Sequence, residues 1–177
     1  DTDQVKAAED ALRPFTKKVE CIPVFLGVLQ SCENKVIRLQ AGLMLKSKLG
    51  TLFAKCDVSA ANQVKVTLLQ LIVAEPEKSV RNALAGCVSC IAKRVLAPGK
   101  KTRSSAARGN GEWPELFALL MQLASNTDES LRALTYSLLT QLSEQVSTQL
   151  KSHVQTMCQM FISGCQDHSP IVSSEAM

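Results

Sequence analysis

The residues best equipped for chemistry are two cysteine pairs, two histidines and two clusters of acids. Cys87-Val88-Ser89-Cys90 has the spacing of a dithiol redox pair. Such pairs work at a strand-to-helix turn, whereas this one lies inside an apolar helical stripe of Val80, Leu84, Cys87, Val88, Ile91 and Val95. Cys87 therefore reads as a core residue and Cys90 as its shoulder. Cys158, Cys165, His153 and His168 carry zinc-ligand chemistry. His153 stands about 140° around the helix from Cys158, and His168 lies past the helix end, so the four cannot converge on one ion. Glu75 with Glu77 and Asp128 with Glu129 fall in joints between helices, where acids suit helix N-termini. There is no glycine-rich phosphate loop, no nucleophile elbow, and no histidine set beside a serine or cysteine with an orienting third group. We therefore expect no catalysis, no cofactor and no metal.

Charge is concentrated in one place. Lys93, Arg94, Lys100, Lys101, Arg103 and Arg108 occur between Lys93 and Glu112 with no acid among them, while the whole chain carries +4. The rest is mildly acidic. Residues 97–111, with Lys100, Lys101, Arg103 and Arg108, read as a flexible basic insertion. Such a loop can be solvated, can contact acidic partners or nucleic acid, or can be switched by phosphorylation at Thr102, Ser104 or Ser105. It has no aromatic residue for base stacking, so nucleic acid is not an expected partner.

These groups must be positioned by helices. The 177 residues are 46% hydrophobic and only 4% aromatic, with few glycines and prolines. Apolar residues recur at helical spacing, as in Leu131, Leu134, Leu138, Leu142 and Val146, or Leu150, Val154, Met157, Phe161 and Ile162. Polar joints at 31–34, 74–77, 125–128 and 166–170 carry N-cap residues and prolines. The pattern predicts helices near 2–17, 19–31, 34–49, 59–74, 77–96, 113–125, 128–145 and 147–166, and from 170 onward. Seven cysteines (Cys21, Cys32, Cys56, Cys87, Cys90, Cys158 and Cys165) are odd in number and irregularly placed, which favours a reducing compartment over a disulfide framework. No apolar run is long enough to span a membrane. The chain starts at Asp1 and stops inside an apparent helix start, so we expect a piece of a longer protein.

An aliphatic-basic pair followed by small residues repeats along the chain: Val5-Lys6, Ile37-Arg38, Val80-Arg81 and Leu131-Arg132. Ile171-Val172 begins a further copy without the base. Intervals of about forty residues suit stacked helix pairs, which bury their stripes only against neighbours. The fold class is an all-α solenoid of antiparallel HEAT-type pairs, with repeats near 1–18 (partial), 19–56, 57–96, 112–146 and 147–177 (partial). Arg38, Arg81 and Arg132 recur in register and should form an inter-repeat polar ladder with nearby acids. Turning away from the apolar stripes gives Lys35, Leu39 and Lys46 on one second helix and Asn82, Ser89 and Lys93 on the next. Those six are the expected partner-binding residues. Trp113 and Pro114 should open a helix, with the tryptophan stapled to its neighbour.

The stretch Val36-Ile37-Arg38-Leu39-Gln40-Ala41-Gly42-Leu43-Met44-Leu45-Lys46 resembles a helix near the start of importin-β family nuclear transport receptors. Glu75 to Ala85 resembles the family's next repeat, whose helix ends at a loop leading into Trp-Pro-Glu-Leu. This chain has Trp113-Pro114-Glu115-Leu116 in that place, and the likeness is nearest to the importin-four-like branch. The resemblance implies a monomeric, non-enzymatic receptor shuttling between cytoplasm and nucleus. Its implied partners are the GTP form of the Ran GTPase, Phe-Gly nucleoporins and basic protein cargo, with no membrane. The net basic charge and the long loop depart from the family's usual pattern. The rival reading is a HEAT scaffold unrelated to transport.

Overall fold

The structure is a computed structural model and describes residues 2–96, 113–146 and 154–177. The described elements are helices: α1 (Thr2–Phe15), α2 (Cys21–Ser31), α3 (Lys35–Leu52), α4 (Val58–Ala74), α5 (Lys78–Val95), α6 (Pro114–Ala124), α7 (Glu129–Val146), α8 (Val154–Cys165) and α9 (Pro170–Ala176), with a 3-10 turn at Phe53–Lys55. Local chemistry starts them. The Asn34 carboxamide accepts from the Val36 amide at 2.9 Å and Asp57 accepts from Ala60 at 2.7 Å, so α3 and α4 begin on side-chain caps. Pro114 and Pro170 open α6 and α9, where a missing N–H costs nothing. Glu75 ends α4 in extended backbone, as a residue before proline must.

Successive helices pair as α2 with α3, α4 with α5, α6 with α7, and α8 with α9. The second helices then stack in one layer, α3 on α5 on α7 on α9, while first helices α2 and α4, and α6 and α8, meet in the other. One continuous core runs between the layers, from Cys21 and Phe25 through Leu45, Leu68, Leu84 and Ile91 to Leu120, Leu139 and Val172. The helix α5 is enclosed by α3, α4 and α7, and its Val80, Leu84, Cys87, Val88, Ile91 and Ala92 are fully buried. This is a solenoid of HEAT-type helix pairs, as the periodicity implied. Helix α3 runs past its expected end at residue 49 because burial of Leu52 and Phe53 outweighs the helix cost of Gly50.

Tight contacts set the stacking distance. A Cβ at Gly42 would lie 3.1 Å from that of Ala83, so α3 and α5 approach almost backbone to backbone. Trp113, 1% exposed, flanks α6 and places its ring under the Lys65 ammonium of α4 at 5.8 Å, stapling the helix start as expected.

Candidate partner-binding face and its arginine ladder

The second-helix layer carries the expected site residues, and the structure separates them into two groups. Lys35, Lys46, Asn82 and Lys93 are exposed, while Leu39 is half-buried against the core. Lys35 pairs with Glu77 at 3.4 Å, a surface contact worth little by itself. Asn82 lines a groove of about 290 Å³ with Lys78 of α5, Glu129, Ser130 and Gln141 of α7, and Glu175 of α9. Ser89 corrects the expectation. It lies on the Asn82 side of α5 but is buried, and its hydroxyl donates to Gln141 Oε1 at 2.9 Å. The neighbouring helix α7 covers that end of the face, which periodicity within α5 alone does not reveal. Lys100, Lys101, Arg103 and Arg108 lie outside the described residues, as does His153.

Beside this face runs a ladder of arginines. Arg38 donates from Nε and Nη2 to the two carboxylate oxygens of Glu75, both at 2.9 Å. Its Nη1 donates to the carbonyls of Cys32 and Glu33 in its own joint. Arg132 repeats the arrangement, with Nε and Nη2 on Asp167 at 2.7 and 2.9 Å and Nη1 on the carbonyls of Asn126 and Thr127. Each guanidinium thus ties its own joint to the next joint along the array. Bidentate, charge-assisted geometry makes these the strong kind of polar contact.

The electrostatics follow. Burial alone would raise the Glu75 carboxyl, but the Arg38 hydrogen bond, the Glu77 amide and the Arg38 and Arg81 charges outweigh it and hold it below the usual range. At Asp167 the Arg132 hydrogen bond leads, with the Ser169 amide, and the carboxyl is again held low. Glu75 is therefore an ion-pair partner first, although the sequence placed it as a helix-start acid.

The cysteines are free thiols. Burial pushes the Cys87 thiol up to about 12, and its Sγ lies 3.6 Å from the Gly42 carbonyl of α3. Cys90 points toward the Lys46 carbonyl. Both pack α5 against α3, as the stripe indicated. Cys158 is exposed and Cys165 contacts the Ala176 carbonyl. Among the described residues no group of three His, Cys, Asp or Glu stands close enough to hold a metal ion, and no helix is long and apolar enough to cross a membrane.

Comparison with known proteins places this geometry in a family. A family model described as "Importin-beta N-terminal domain" matches residues 8–74, and one described as "IPO5-like, TPR repeats" matches residues 76–177. The "Probable importin subunit beta-4" of Schizosaccharomyces pombe is 26% identical over 147 residues, which are 82% of this chain and 13% of that protein. The crystal structure of Kap121p bound to Ste12p superposes with a TM-score of 0.75 at 15% identity, over 97% of this chain and 16% of Kap121p. That likeness supports the solenoid fold. The chain spans only a small part of either relative's length. It belongs to the importin-β family.

Proposed function

We propose that the chain is part of a nuclear transport receptor, and that its second-helix layer contributes to binding the GTP form of Ran. Phe-Gly nucleoporins and protein cargo complete the partner set, the whole protein shuttles between cytoplasm and nucleus, and the role is not catalytic. The observation that carries this is the match of residues 8–74 to the importin-β N-terminal domain. Exposed Lys35, Lys46 and Lys93 on stacked second helices add a face suited to an acidic partner surface. The mechanism is a coupling free energy: one partner, by favouring one curvature of the array, disfavours another partner at a distant site. The test is surface binding of Ran, locked with GTP or loaded with GDP, to the immobilised chain. Selective retention of the GTP form, reduced tenfold or more by Lys35→Glu with Lys46→Glu, is expected. Retention of neither form, or of both equally, overturns the reading.

A further inference from the structure

The ladder has three arginines but only two complete rungs. The acid of a complete rung stands two residues before the residue that flanks the next second helix: Glu75 before Glu77 and α5, Asp167 before Ser169 and α9. Each also accepts the backbone amide two residues on, at 3.0 and 2.8 Å. In the joint between α6 and α7 that position is Asn126. Its Oδ1 makes the same turn, accepting from the Asp128 amide at 2.8 Å. The other end of an amide is an NH₂ group, so a donor stands where the complete rungs offer a second carboxylate oxygen.

Arg81 shows the consequence. It is 7% exposed, yet its Nε has no hydrogen-bond partner among the described residues. Nη2 reaches the Pro76 carbonyl at 3.2 Å, and Nη1 stays 3.6 Å from Asp128, whose side chain is half exposed. A buried donor left unpaired is costly. Because Nε is closed to solvent, the deficit falls on the joint and offers nothing to an external ligand. Other features of the same seam agree. A groove of about 290 Å³ opens along one end of this seam, beside Asn82 and Ser130, while Ser89 and Gln141 close the other end; α3 and α5 instead meet closely at Gly42 and Ala83.

We propose that the α5–α7 seam is the joint at which this array opens and bends first, because Asn126 breaks the arginine ladder there. The test is native-state hydrogen exchange on the full chain, read by mass spectrometry at the joints around residues 75, 126 and 167. The wild type should exchange fastest at 126–131 by an opening route independent of global unfolding. Asn126→Asp supplies a carboxylate of the length that works at Asp167, and should slow exchange there about tenfold while leaving the other two joints unchanged. As a second arm, Arg81→Met should lower the urea midpoint much less than Arg38→Met does. Equal wild-type exchange at the three joints, no slowing in Asn126→Asp, or equal losses from the two arginine variants would each overturn the proposal.

Discussion

At the scale of single residues, Glu75 is the group on which the array's acid stability turns. Its carboxylate is 4% exposed and holds both edges of the Arg38 guanidinium. A carboxyl whose native pKa is depressed contributes stability above its unfolded value, near 4.3 for glutamate. That stability is lost as pH falls through the lower native value. Asp167, also held low, contributes with the same sign. The urea midpoint should therefore be level from pH 7 to about 5 and drop steeply below about 4.3. Glu75→Gln should cost on the order of 1 M urea at pH 7, by stranding Arg38, and should flatten part of the acid drop. Circular dichroism at pH 7, 5, 4 and 3 reads both effects. An unchanged midpoint at pH 7 would mean that the rung does not hold the joint.

At the scale of helices, packing is decided by what glycines meet. A Cβ at Gly86 would press on the Cδ, Cε and Nζ of Lys46 at 2.8 to 3.0 Å, all at the far end of a flexible side chain. At Gly164 it would stand 2.5 Å from the Tyr136 ring and 2.8 Å from Ala176 Cβ, where α7, α8 and α9 meet. Gly86→Ala should then be neutral or stabilising by up to about 1 kcal/mol, since helix propensity is gained as Lys46 swings aside. Gly164→Ala should lose about 1–3 kcal/mol through overpacking. Thermal melts of the two variants check this, and shifts in the same direction would show that neighbour flexibility is not what decides. The element pattern itself was legible in the sequence because the apolar stripes keep one period through each helix, and because Asn34 and Asp128 cap two of the joints while Pro76 and Pro170 mark the other two. The arginine ladder was legible too, since Ile37-Arg38, Val80-Arg81 and Leu131-Arg132 repeat in register. Ser89 was not: its burial comes from Gln141 on another helix, and a helix's own periodicity says nothing of what crosses it. Nor was the broken rung, because Asn126 differs from Asp167 only by an amide and acquires meaning once Arg81 stands opposite it.

At the scale of the molecule, charge sets which partners the array meets before any contact forms. The net charge of +4 equals the contribution of Lys100, Lys101, Arg103 and Arg108, which stand within a stretch of residues 97–111 that contains no acid. Changing those four to glutamine takes the formal net charge to zero without touching the described core. Charge substitutions outside a packed core usually move stability by less than about 0.5 kcal/mol, and on the expectation that this basic stretch is a solvated insertion the melting temperature should shift by no more than a few degrees. Long-range attraction should change far more, because clustered like charges act together within a Debye length of about 8 Å at physiological salt. On a polyglutamate column in low salt, the wild type should be retained and elute as salt rises, while the fourfold variant should flow through. If the variant is retained as strongly as the wild type, the attraction belongs to Lys35, Lys46 and Lys93 on the second-helix layer. The second-helix face would then steer acidic partners by itself, and the basic stretch before Trp113 would add nothing to recognition.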